Sequence, residues 1–144
     1  MKKILVINGP NLNFLGIREK EIYGAESYET LLRMIEMHAG RRGCEAEVFQ
    51  SNHEGELIDR IQAAYTDGTD GIVINPGALT HYSYALYDAL KSLADIPKAE
   101  VHISDISARE EFRKVSVTAD ACAIQISGHG LKGYLEAMDF LLDG

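Results

Sequence analysis

An alternation along the chain limits what it can fold into. Five short apolar runs, Ile4–Ile7, Ala46–Phe49, Gly71–Ile74, Ala99–Ile103 and Ala121–Ile126, each give way to a turn, and most to a segment of helical period. Val, Ile and Ala dominate these runs without strict polar alternation, as expected of parallel strands covered on both faces. Between the runs the apolar spacing becomes helical. Ser27 is placed to cap a helix with Leu31, Leu32, Ile35 and Ala39 on one face, and Gly43 to end it. Leu57, Ile58, Ile61, Ala64 and Tyr65 form a second stripe, with Glu54 and Glu56 suiting the dipole of its first turn. Leu86, Ala89, Leu90 and Leu93 form a third, closed by Pro97, and Leu131, Leu135, Met138, Leu141 and Leu142 the last. The connection Ser107–Val117 is charged and poorly periodic, and a short helix is expected there.

This βαβ rhythm predicts an α/β fold with right-handed crossovers and helices on both faces of one parallel sheet. Five strands favour the flavodoxin-like, doubly wound order 2-1-3-4-5. The length, 144 residues, and the absence of a linker, repeat or low-complexity tract point to a single domain over 1–144. A formal net charge of −8 argues against a general nucleic-acid or anionic-membrane binder, although a few local arginines can still receive a small anion. Cys44 and Cys122 lack disulfide-framework or zinc spacing and read as two reduced thiols, Cys122 in a strand and Cys44 beside a turn. The apolar run after Met1-Lys2-Lys3 stops at Asn8-Gly9-Pro10, too short for a signal peptide or membrane span, so a cytoplasmic location is expected.

Polar, glycine-containing segments leave the carboxyl ends of four of these strands. They are Asn8-Gly9-Pro10-Asn11-Leu12-Asn13, Asn75-Pro76-Gly77-Ala78-Leu79-Thr80-His81, the end of Glu100-Val101-His102-Ile103-Ser104, and Ser127-Gly128-His129-Gly130. Open α/β sheets bind ligands at that edge, above all in the crevice between the first and third strands. Taken singly, each residue has a plainer use. His102 can be a satisfied core histidine, Asn11 and Asn75 turn residues, and His129 a loop residue. His81 can simply open a helix, and Arg18, Tyr23, Asp88 and Arg113 can be solvated surface. Their convergence on one edge favours a small-molecule site. Glu100 lies two positions before His102 on a strand, so both face one side and the carboxylate can orient or charge the imidazole. Gly16–Gly24, glycine-bracketed and carrying Arg18 and Tyr23, reads as a lid. Asp67, Asp70, Asp95 and Asp105 show no metal-ligand pattern. Walker A, GxSxG and HExxH are all absent, which leaves P-loop, serine-hydrolase and zincin chemistry without support.

The segments Asn8–Asn13, Gly16-Ile17-Arg18-Glu19 and Ile22-Tyr23-Gly24 together resemble the opening signature of type II 3-dehydroquinate dehydratases. Asn75–His81 resembles that family's central motif, and Glu100–Ser104 with Ala108–Arg113 its third; Gly130–Tyr134 is similar to its last-helix entry. The resemblance implies a lyase that eliminates water from 3-dehydroquinate through an enolate, without a Schiff base, on the shikimate pathway. It implies Tyr23 as base, His102 as general acid, Arg18 lowering the tyrosine's pKa, and Asn11 holding the enolate through an ordered water. Asn75, His81, Ile103, Ser104 and Arg113 would bind substrate, and Asp88 would reach a neighbouring subunit's site. The resemblance further implies a homo-dodecamer built as a tetramer of trimers, and no metal or organic cofactor. Lys20, Ser107 and Val115 depart from common family residues, none at a position assigned a catalytic role. A flavodoxin-like binding or regulatory domain without catalysis is the alternative, and it must treat Asn11, Arg18, Tyr23 and His102 as coincidence.

Overall fold

The computed structural model describes residues 1–17 and 26–144. Five parallel strands, β1 (Lys3–Asn8), β2 (Glu45–Gln50), β3 (Gly71–Asn75), β4 (Lys98–His102) and β5 (Ile124–Ser127), form one sheet in the order β2-β1-β3-β4-β5. The expected flavodoxin-like order is therefore the observed one. Helices α1 (Tyr28–Arg42), α2 (Glu54–Ala63), α3 (Tyr84–Ser92) and α4 (Lys132–Asp143) pack on its two faces.

Strand parity sorts the core. Ile4, Val6, Val73, Ala99 and Val101 point to one face, under Leu31 and Ile35 of α1 and Ala137, Met138 and Leu141 of α4. Leu5, Ile7, Ile72 and Ile74 point to the other, under Leu57 and Ile61 of α2 and Leu86 and Leu90 of α3. Each of these side chains is withdrawn from water, on alternate faces of a sheet covered on both sides. The first helix begins and ends as its sequence predicts. Ser27 accepts a hydrogen bond from the Thr30 amide at 3.2 Å, and Gly43 takes the left-handed conformation (φ 67°) that closes the last turn. Lys98, buried on β4, donates to the carbonyls of Leu93 (2.6 Å) and Ile96 (2.7 Å) just beyond α3, while burial pushes its pKa down.

Three expectations change. The connection expected to be a helix over Ser107–Val117 is instead a series of 3-10 turns at Ile106–Ala108, Glu111–Arg113 and, further on, Ala119–Ala121. Asp105 accepts from the Ser107 amide and hydroxyl, which closes the first turn on itself and draws the backbone out of an α-helical path. The last strand starts at Ile124 rather than Ala121, because the Cys122 amide closes a turn on Ala119; Cys122 therefore precedes the strand. Tyr65, expected on the buried stripe of α2, lies beyond that helix and is exposed. Both cysteines are free thiols, and burial, then the Glu100 charge, push Cys122 up to about 12.

Strands β1 and β3 end level, with Asn8 paired to Asn75. Between their side chains lies the fully buried hydroxyl of Tyr134 from α4, which donates to Asn8 Oδ1 at 2.6 Å and accepts from Asn75 Nδ2 at 2.9 Å. Asn8 Nδ2 in turn donates to the Tyr28 hydroxyl at the start of α1 (3.3 Å). Burial raises the Tyr134 pKa, so the phenol stays a donor. Replacing Tyr134 by Phe leaves two buried amides without this partner, and is expected to cost about 1–3 kcal/mol in urea denaturation. An unchanged midpoint would show that the hydroxyl is not what holds the strand ends.

Candidate active site

The turns after β1 and β3 occupy nearly the same space. The Gly9 amide donates to the Asn75 carbonyl at 2.8 Å, and a Cβ on Gly9 would stand 2.3 Å from the Pro76 carbonyl oxygen. Gly77 adopts φ +62°, and a Cβ there would stand 2.9 Å from the Pro10 carbonyl oxygen. Only glycine at both positions lets the turns interlock. Beyond them Asn11 sits in the left-handed region (φ 71°), where asparagine is among the few tolerated side chains. Its amide donates to Asn52 Oδ1 at 2.9 Å, and Gln50 Nε2 donates to the Gly9 carbonyl and to Asn52 Oδ1, both at 3.2 Å. The end of β2 thus holds the loop that presents Asn11.

Where β1 and β3 part, a cavity of about 90 Å³ opens. Its lining brings together Asn11, Asn75, His81, His102, Ile103, Ser104 and Arg113, which is seven of the eleven residues singled out from the sequence. Asn75 Oδ1 also accepts from the Gly77 amide at 3.1 Å, so its amide is oriented from both ends.

His102 is almost wholly buried and its Nε2–H donates to Glu100 Oε2 at 2.8 Å, which leaves Nδ1 as the nitrogen available to a ligand. Glu100 is fully buried and also accepts from Ser116, Thr118 and Gln125. Burial by itself would raise its pKa. The hydrogen bond and charge of His102, joined by Thr118 and Gln125, outweigh that and hold the carboxyl below its ordinary range. Opposite, His81 Nδ1–H donates to the Val115 carbonyl at 2.8 Å, and its ring meets Phe112 edge-on at 6.3 Å. Burial, then His102 and Arg113, lower the His81 pKa, so it stands neutral with Nε2 free to accept or bind. Arg113 donates to Glu110 at 2.9 Å, with its guanidinium 4.7 Å from the Phe112 ring. Ser104 Oγ accepts from Arg109, which also lines the cavity. A neutral histidine, a carboxylate-bound histidine, two amides and two guanidiniums suit a small, polyhydroxylated anion that undergoes proton transfer.

Four sequence candidates stand apart. Arg18 and Tyr23, with most of the expected lid, lie outside the described residues. Asp88 is exposed on α3 and does not line the cavity, and Glu100 acts behind His102. His129 is a loop residue paired with Glu136 at 2.7 Å. Sequence reasoning missed Ser116, Thr118, Gln125 and Asn52. The alternating hydroxyls of Ser116 and Thr118, and a glutamine between two isoleucines on a strand, were the signals present. Among the described residues no cluster of three or more His, Cys, Asp or Glu is placed to hold a metal ion, and no helix is long and apolar enough to cross a membrane.

The chain resembles known proteins along nearly its whole length. The family described as dehydroquinase class II matches residues 2–142. A 3-dehydroquinate dehydratase of Lachnospira eligens is 63% identical over 141 residues, covering 98% of this chain and 96% of the relative. A crystal structure of a type II dehydroquinase from Butyrivibrio crossotus superposes with a TM-score of 0.96 at 64% identity, covering 97% of each chain. One from Propionibacterium acnes gives 0.95 at 43% identity, covering 100% of this chain and 98% of the other.

The Glu100 carboxylate has a consequence for stability. Its pKa in the fold lies below the ordinary 4.5, so its contribution is present above that value and is lost as pH falls through the lower, folded one. Glu100→Gln is expected to cost about 2–4 kcal/mol near neutral pH, since donors then face a donor. The gap from wild type should narrow in urea titrations as pH falls below about 4.5 and through the lower, folded pKa. A gap independent of pH would exclude an ionised Glu100 as the cause.

Proposed function

We propose, from the premise that the chain belongs to the class II dehydroquinase family, that it removes water from 3-dehydroquinate to give 3-dehydroshikimate. The observation that carries this reading is the convergence of Asn11, Asn75, His81, His102, Ser104 and Arg113 on one cavity at the β1–β3 crevice. A proton leaves C2, beside the ketone, and hydroxide leaves C1 with acid assistance, so base and acid must serve different atoms. His102 is the acid. Its Nε2–H is engaged by Glu100, so Nδ1 faces the departing hydroxyl; the ring takes up a second proton there from solvent, and the imidazolium so formed delivers it. Arg113 suits the substrate carboxylate, which a guanidinium can bind through two hydrogen bonds. Asn75, His81, Ile103 and Ser104 hold the ring and its hydroxyls, and Asn11, through an ordered water, steadies the enolate.

Tyr23 is the base in this reading, brought by the loop that also carries Arg18. An ordinary tyrosine, with a pKa near ~10, must spend roughly 4 kcal/mol to ionise at neutral pH. An adjacent guanidinium lowers such a pKa by about 1–3 units, which removes much of that barrier. The exposed position of Asp88 on α3 supports its service to a neighbouring subunit's site within a dodecamer. A cytoplasmic enzyme of aromatic biosynthesis accords with this chemistry.

Purified protein given 3-dehydroquinate should generate the ultraviolet absorbance of a conjugated enone carboxylate. Neither EDTA nor borohydride pretreatment should change the rate. A folded protein that gives no rise in absorbance would overturn the assignment, in favour of a non-catalytic binding domain. Tyr23→Phe should fold normally and lose at least ~100-fold in kcat; near-wild-type turnover would remove Tyr23 as the base.

A further inference from the structure

We infer that Ser116, Thr118 and Gln125 are positioning residues for His102, acting through Glu100 to fix which imidazole nitrogen faces the cavity. The inference rests on the dehydratase reading only for its kinetic consequence. An ionised carboxylate has about four lone-pair sites. Four donors surround Glu100: His102 Nε2, Ser116 Oγ and Gln125 Nε2 converge on Oε2, each at 2.8 Å, and the Thr118 hydroxyl meets Oε1.

Each of the three supporting donors is aimed by its own surroundings. The Ser116 hydroxyl oxygen accepts from the Ala119 amide at 3.0 Å, which turns its hydrogen toward the carboxylate. Thr118 is fully buried. Gln125 stands directly opposite Glu100 in the β4–β5 register, on the edge strand, and covers the carboxylate from that side. Facing an ionised carboxylate, both hydroxyls and the amide can only donate.

The consequence falls on His102. A carboxylate pinned at both oxygens cannot swing away, and donors on both oxygens favour its ionised form. Glu100 therefore orients the ring without accepting its proton. The other neutral tautomer would turn an imidazole lone pair against the carboxylate, so Nε2–H is selected and Nδ1 serves the cavity. With a supporting donor removed, the carboxylate gains freedom to turn, and the ring follows. None of the three touches the groups that bind the substrate ring, so the loss should fall on kcat.

The test uses Thr118→Val and Gln125→Met, with Thr118→Ser as the conservative control, in the full-length protein. Ring-15N spectra of histidine-labelled resting enzyme should show His102 as a single Nε2–H tautomer in wild type and Thr118→Ser. In Thr118→Val and Gln125→Met they should show a mixture. With 3-dehydroquinate, kcat should fall about 10-fold in both, with KM within about twofold and recovery in Thr118→Ser. Wild-type tautomer spectra and wild-type kcat in both variants would overturn the inference. So would losses that follow the melting temperature alone while the imidazole signals stay fixed. Should Thr118→Val fail to fold, Gln125→Met on the exposed edge strand decides the matter. Wild-type protein inactive on 3-dehydroquinate would sink the dehydratase reading alone, and the spectra would still decide the positioning roles.

Discussion

Two turns that nearly share one volume are the constraint on which the rest depends. Gly9 lies against the Pro76 carbonyl and Gly77 against that of Pro10, so the loops leaving β1 and β3 are locked to each other before any ligand arrives. That lock sits where the strand order reverses, and the crevice it leaves is shaped by backbone more than by side chains. Asn11 and Asn75 are presented from the two interlocked turns. Asn75 is fixed again from below by Tyr134, whose hydroxyl joins the last helix to both strand ends. The site is thus preorganised from the core outward, as catalysis by positioned dipoles and proton donors demands.

The supports are unequal in kind. The binding amides are held by close backbone approach and a dry hydroxyl, whereas the histidines are held by electrostatics. The pKa of His81 is lowered chiefly by burial, and His102 is bound to a carboxylate that burial would protonate but its donors keep ionised. Two histidines facing one cavity are thus held through different partners, a carbonyl for His81 and a carboxylate for His102.

Much of this was legible in the residues. Buried runs such as Ile4–Ile7 and Gly71–Ile74 can only be doubly covered strands, and Ser27 and Gly43 mark a helix by local chemistry that needs no tertiary context. Asn11, Asn75, His81 and His102 were legible because strand ends fix where a parallel sheet binds. The fourth crossover was not. Its paired charges, Glu110 with Arg113 and Glu111 with Lys114, have helical spacing and form ion pairs, yet the backbone beneath them is 3-10. What sets that path is long-range: the Val117 amide reaches the Thr80 carbonyl, and Ser116 and Thr118 reach Glu100. The same distance hid Gln125, whose partner is fixed by a register that sequence does not state, and Asn52, whose role exists only because β2 lies beside β1.

That crossover differs from its three counterparts in a further respect. An α-helix carries its own hydrogen bonds and an apolar stripe, so it keeps some order whatever happens at the strand ends. The segment between β4 and β5 buries few apolar side chains, chiefly Ile103, Ile106 and Ala121. Its anchors include the Thr80 carbonyl, the Glu100 carboxylate and Ser127, beside the cavity or behind it, and the Lys98 carbonyl at the other end of β4. The hydrogen bonds that give this stretch its path are in large part those that stand around the cavity, so the order of the segment and the shape of the cavity share the same supports.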